Sequence, residues 1–182
     1  MIGLQRGIVS LAEHHSEWAH LAAKTIDMLW SVLGDDAVDI QHVGSTSIPG
    51  IAAKPIIDIA IGMRDLRVIE QYRAALVEHQ VIYRGQDVSD QLLFVMGDFE
   101  KDTRTHHIHV VQWNERRWND YINFRDYLRC YEDKAREYEA LKCDLAQTYA
   151  SDRAAYTAGK AEMIAGLLRE AEIWKGEDRW QK

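Results

Sequence analysis

The apolar positions change period near residue 113, and that change organises the chain. Trp18, Leu21, Ala22, Thr25, Ile26, Leu29 and Leu33 recur at helical spacing, which predicts an amphipathic helix capped by Ser16 and stopped at Gly34. Residues 38–43 alternate instead, with Val38, Ile40 and His42 opposite Asp39, Gln41 and Val43, as a strand requires. Residues 55–62 read as a second strand. Within it Ile56-Ile57-Asp58-Ile59-Ala60-Ile61 is apolar on both faces except at Asp58, the pattern of a central strand covered on both sides. Asp65 is placed to cap a helix carrying Leu66, Ile69, Tyr72 and Leu76, and strand-like runs follow at 81–83, 91–96 and 106–113. Beyond Asn114 the helical period returns in three stretches, through Trp118 to Tyr131, Tyr138 to Tyr149 and Tyr156 to Trp174, so three helices are expected to close the protein.

A length of 182 residues supports one hydrophobic core. We read residues 1–182 as one domain, with a mixed core to about 113, a helical lobe over about 114–175 and a tail at 176–182. The balance of 22 Lys plus Arg against 29 Asp plus Glu, a net charge of −7, weighs against bulk nucleic acid as a partner. A hydrophobic fraction of 47% with two prolines excludes a disordered chain. No apolar run is long enough to span a membrane and no signal-peptide pattern opens the sequence, so a cytoplasmic protein without a membrane partner is expected. Cys130 and Cys143 lack metal or disulfide spacing and read as reduced bystanders. The tryptophans read mostly as core, apart from Trp180 in the polar tail. The mixed charges at Arg125-Asp126, Arg129, Glu132-Asp133-Lys134 and Arg136-Glu137 read as solvated helix faces.

Candidate chemistry begins at Gly44-Ser45-Thr46-Ser47, where a small turn after a strand lets the backbone approach a phosphate and present N–H and O–H donors. Asp58 follows in an apolar strand, where a carboxylate needs a cation or fixed donors beside it. The plainer alternative is a capped turn next to a structural Asp. In Thr105-His106-His107-Ile108-His109, alternation puts His107 and His109 on one face, as metal ligands, phosphate donors or half-buried hydrogen-bonded side chains. His42 is a further candidate, whereas His14, His15, His20 and His79 read as solvent-facing or capping. Lys54 suits a phosphate counter-charge, with Arg84 and Arg104 as weaker candidates. Tyr156 and Lys160 share a helix face, either that of an ordinary packing helix or one that can reach over a pocket, and Gly159 between them, costing about 1 kcal/mol in a helix, points to close packing there.

The spacing hydrophobic-Gly-Ser, about a dozen residues, then Asp between hydrophobics resembles the signature of the polymerase-beta-like nucleotidyltransferase superfamily. The phrase HVGSTSIPGIAAKPIIDI, with THHIHVV, FRDYLR, YEALK and AYTAGKAEMI, is more closely similar to the GrpB family, from about Val38 to Leu168. The resemblance implies an α+β fold: a nucleotidyltransferase-like mixed sheet flanked by helices and followed by a C-terminal helical lobe. It carries Gly44 and Ser45 onto the phosphate turn and Asp58 onto the first metal-binding carboxylate. The second carboxylate belongs at position 60, on the same strand face, where this chain has Ala60; a methyl group cannot bridge a second cation. The resemblance also sets the histidine strand beside Asp58, so Asp58, His107 and His109 would hold one divalent metal (Mg, Mn or Zn), nitrogen ligands favouring the latter two.

The expected ligand is a nucleotide or phosphorylated small molecule, bound by Gly44, Ser45, Thr46, Ser47, Lys54, Tyr156 and Lys160. The expected reaction is metal-dependent nucleotidyl or phosphoryl transfer, with Asp58, His107, His109 and Lys54 as the catalytic set. Two alternatives stay open: a non-catalytic ligand-binding or regulatory module that lost the two-metal site, and a hydrolase using the histidines and Asp58.

Overall fold

A computed structural model describes residues 2–178. Five strands form one mixed sheet in the order β2 (Ala37–Val43), β3 (Ile57–Met63), β7 (His106–Gln112), β5 (Gln91–Met96) and β4 (Ile82–Val88). β3 and β7 run parallel and the other neighbours antiparallel. A two-residue ribbon, β1 (Leu4–Gln5) with β6 (Thr103–Arg104), lies apart from it. The strand expected at 55–62 starts at Ile57, after Pro55, which has no N–H to give a ladder. The run at 81–83 extends to Val88 through register shifts around Gly85, a bulge that simple alternation does not reveal.

Helix α1 (Glu17–Leu33) buries Trp18, Ala22, Thr25, Leu29 and Leu33, and Gly34, at φ +51°, ends it. Ser16 does not cap it: its backbone is already helical and its side chain accepts no cap bond. Asp65 does cap, accepting from the Arg67 N–H, but the helix it opens is a 3-10 turn over 66–72 that leads into α2 (Arg73–Glu78). One sheet face packs Ile57, Ile59, Ile61 and Met63 of β3 with Ile108 and Val110 of β7 against α1, which makes the main core. Asp58, Ala60 and Gly62 therefore point to the other face, because side chains alternate.

On that second face α3 (Arg116–Cys130) packs against β2, β3 and β7, and α4 (Glu132–Thr148), α5 (Arg153–Gly159) and α6 (Ala161–Asp178) complete the lobe. The last of the three expected helices is thus two, broken at Lys160. Gly159 packs as its position implied: a Cβ there would lie 2.5 Å from Leu145 Cδ2. The lobe's own core takes in Ile48 and Ile51 from the loop after β2, together with Tyr127, Leu128, Tyr138 and Leu167. The loop carrying the glycine turn is thereby packed between sheet and lobe.

The expected solvated faces hold at Arg129, Glu132, Asp133, Arg136 and Glu137, which are exposed, and need correction at Arg125. Arg125 is buried and donates to Gln41 Oε1 at 2.8 Å and to the His42 carbonyl at 3.1 Å. Arg129 donates to the Ser47 carbonyl at 2.9 Å and Arg136 to the Gly50 carbonyl at 2.9 Å. These arginines hold the loop backbone, a role that mixed-sign charge on a helix cannot disclose. Of the tryptophans, Trp18 and Trp118 are buried but Trp30 and Trp113 are exposed, since both lie outside the apolar stripes; Trp180 lies outside the described residues. His14, rather than facing solvent freely, stands edge-on to Trp18 at 5.5 Å. Cys130 and Cys143 are free thiols. No helix among the described residues is long and apolar enough to cross a membrane.

Candidate active site

The parallel register sets Asp58 level with His107 and Ala60 level with His109 on adjacent strands. Both imidazoles reach one carboxylate oxygen: His107 Nδ1 is 3.4 Å and His109 Nε2 3.3 Å from Asp58 Oδ1. Burial would raise the Asp58 pKa, but the hydrogen bonds from His107 and His109 outweigh it and hold the carboxyl well below its ordinary range. On its other side Asp58 packs against Gly44, whose positive φ of 67° turns the chain out of β2.

Ala60 does not stand near a metal position waiting for a partner. It is fully buried in an apolar cluster with Val43, Val111 and Trp118. Trp118 of α3 belongs to that cluster, so a carboxylate at 60 would meet an apolar surrounding.

The glycine turn itself is divided. Gly44, Ser45 and Thr46 line a cavity of about 420 Å³ between the sheet and the lobe. Ser47 does not: it is buried, and its hydroxyl donates to the Gly44 carbonyl at 2.6 Å, closing the turn from behind. His42, expected as a further ligand, bonds Thr46 Oγ1 through Nε2 at 3.0 Å and does not line the cavity. His106 faces the main core, where Thr25 bonds its Nε2 at 3.2 Å. Arg84 and Arg104 flank the Phe99 ring, at 5.2 and 4.9 Å, rather than the cavity.

The remaining candidates converge. Asp58, His107, His109, Lys54, Tyr156 and Lys160 all line the same cavity as the glycine turn. The Lys54 and Lys160 ammonium groups lie 5.0 and 4.5 Å from the Tyr156 ring centre. Burial, then the neighbouring Lys160 and Arg153 charges, bring Lys54 down to about 8; burial also lowers Lys160. Sequence reasoning missed Arg117, Lys142 and Arg153, which line the cavity too. Arg153 has a signal, since 153, 156 and 160 share a helical face. Lys142 has none, because only the tertiary fold buries it. Against these five basic side chains, Lys54, Arg117, Lys142, Arg153 and Lys160, the wall offers two carboxylates, Asp58 and Asp120. A protein of net charge −7 thus holds a cavity whose basic side chains outnumber its carboxylates.

The carboxylate and imidazoles fit a hydrogen-bonded trio more closely than a ready metal centre. Both rings aim at one oxygen over distances suited to N–H···O contacts, and no group of three His, Cys, Asp or Glu side chains among the described residues is placed to hold a metal ion. The buried His109 Nδ1 has no hydrogen-bond partner among the described residues, so the ring lacks the outer support that ligating histidines normally have; it stacks on Tyr121 instead.

Comparison with known proteins agrees with this architecture. A distant fold likeness extends to the Cid1 poly(U) polymerase in its MgATP-bound form, with a TM-score of 0.52 over 74% of this chain and 44% of that one; at 10% identity it shows the fold alone. The crystal structure of the conserved protein GrpB from Enterococcus faecalis superposes with a TM-score of 0.83, covering 91% of this chain and 99% of that one at 27% identity. The glutamate-rich protein GrpB of Alkalihalophilus pseudofirmus is 36% identical over 173 residues, 93% of this chain and 99% of the relative. The family model described as "GrpB protein" matches residues 8–170, which take in the glycine turn, Asp58, both strand histidines and Lys160. With sequence and fold in agreement, the chain belongs to the GrpB family.

Proposed function

We propose that the cavity binds a phosphorylated small molecule or nucleotide, with its phosphate against Ser45 and the cationic wall of Lys54, Arg153 and Lys160. The observation that carries this reading is the excess of basic over acidic side chains around one cavity of an acidic protein. Buried ammonium groups without equal numbers of carboxylates are costly, and a polyanion relieves that cost while a neutral ligand does not. Gly44 keeps the backbone low so that the ligand reaches Asp58 and the histidines. Transfer of a nucleotidyl or phosphoryl group is the finer form of this function, with His107 as the residue best placed to move a proton. Its Nδ1 is held by Asp58, its Nε2 makes no hydrogen bond among the described residues, and its ring lines the cavity.

A second reading, a binding or regulatory module without catalysis, is favoured by the burial of Ala60 in one apolar cluster with Trp118. Isothermal titration with pyrophosphate and ATP, each with and without Mg²⁺, Mn²⁺ or Zn²⁺, tests both. Binding that weakens about tenfold in Lys160→Ala and falls with added salt is expected. Absence of binding by every phosphorylated probe would overturn the proposal. Binding without turnover under every metal would leave the module reading in place of transfer.

A further inference from the structure

Lys142 is the buried cation least explained by the fold. It is 1% exposed, lines the cavity and forms no ion pair among the described residues; its Nζ donates to the Ala52 carbonyl. One helical turn earlier Glu139 accepts the Ala52 N–H, so α4 grips both polar groups of one loop residue. A neutral amine serves that bond as well as an ammonium and retains a lone pair. The ring of Tyr138 lies 4.7 Å from Nζ, and Phe124, Ile164 and Leu168 make the apolar part of the cavity wall.

From this geometry we propose that Lys142 is a nucleophilic amine that forms an imine with the carbonyl group of a phosphorylated aldehyde or ketone held in the cavity. The ligand class rests on the phosphate reading above; the amine does not. Burial first, and then the Lys160 charge, lower Lys142 to about 7 against the opposing pull of Glu139, so a large share is unprotonated at neutral pH. Desolvation near another cation is an established way to make a lysine nucleophilic. The Nζ lone pair forms the C–N bond while the carbonyl π pair moves to oxygen. That oxygen leaves as water with the two amine hydrogens, and a C=N bond remains; nothing is oxidised or reduced. The apolar wall favours loss of water over return to the hydrate.

The test uses the full chain at neutral pH with pyridoxal 5′-phosphate or pyridoxal, each followed by borohydride, which reduces the C=N bond to a stable secondary amine. Peptide mass spectrometry then locates the label. Lys142 is expected to carry most of it, about tenfold faster with the phosphorylated probe, and pyrophosphate should suppress it. Lys142→Arg preserves a donor to Ala52 and should lose the label at 142 while melting within a few degrees of the parent protein. Label confined to Lys54, Lys160 or surface lysines, with Lys142 unmodified, would overturn the assignment. Equal labelling of Lys142 by both probes, indifferent to pyrophosphate, would overturn the ligand class and the phosphate reading while the amine assignment stands.

Discussion

Gly44 and Asp58 compete for one volume: a Cβ on Gly44 would lie 2.5 Å from Asp58 Oδ2 and 2.9 Å from its Cβ. The backbone at 44, with φ 67° and ψ −173°, also lies in a region that only glycine occupies readily. The turn thus owes its shape to the carboxylate behind it, and the carboxylate is held in place by the turn.

Gly44→Ala should therefore lose about 1–3 kcal/mol from backbone conformation alone, and more from the collision. Urea unfolding measures the loss. In the Asp58→Ala background the same substitution should cost less, because the colliding oxygen is gone, and strict additivity of the two changes would contradict the shared volume.

Acid should weaken the fold in two stages. Burial lowers His42 and His106 to about 4, so between their ordinary pKa near 6.5 and pH 4 the unfolded chain binds protons that the folded chain refuses. Stability then falls as pH drops through that window and the histidine contribution is spent below about 4. Asp58, depressed by its two imidazole bonds in spite of burial, adds a further loss at lower pH, where the unfolded carboxyl takes a proton and the folded one does not. Melting temperatures from pH 7 to 4 in the parent and in His106→Leu check the first stage, and the variant should show the shallower slope.

Placing a carboxylate at position 60 should not create a metal site. Ala60→Asp would bury a charge among Val43, Val111 and Trp118 without a partner, at a cost of about 3 kcal/mol or more. Chemical denaturation should show that loss, and added Mg²⁺ should not recover it. Full recovery by Mg²⁺ would mean that the cluster can open into a two-cation site.

The lobe is predicted to hold the glycine loop through its arginines. Arg125→Ala leaves the Gln41 side chain and the His42 carbonyl without their donor and should cost about 1.5–3 kcal/mol. Hydrogen exchange should rise at residues 42–48 before it rises in α1. Arg67→Ala, removing an exposed pair with Asp65, is the control and should leave stability nearly unchanged.

Much of this protein is legible in one dimension because the relevant contacts are local or periodic. The stripe of α1, the alternation of β2 and the doubly apolar β3 follow from which faces are buried, and the spacing of His107 and His109 puts both rings on one side of β7. The glycine turn and the lone Asp58 stood out for the same reason: each breaks the pattern around it. The lobe was harder to read. Arg125 and Lys142 sit among charges of both signs on helices that look solvated, and nothing local separates a buried cation from an exposed one.

Local pattern and spacing were enough to locate the five strands of the main sheet, most helices, the turn and the His107/His109 pair, though not the β1–β6 ribbon, since periodicity encodes burial directly. Tertiary structure alone decided that both imidazoles meet on one oxygen of Asp58, that Trp118 joins Ala60 in one apolar cluster, and that helices far along the chain bring Lys142, Arg153 and Lys160 over the glycine turn. Those outcomes depend on which elements pack together. Charge balance in a cavity is a property of that packing, and a linear sequence with a net charge of −7 gives no sign that basic side chains outnumber carboxylates around one cavity.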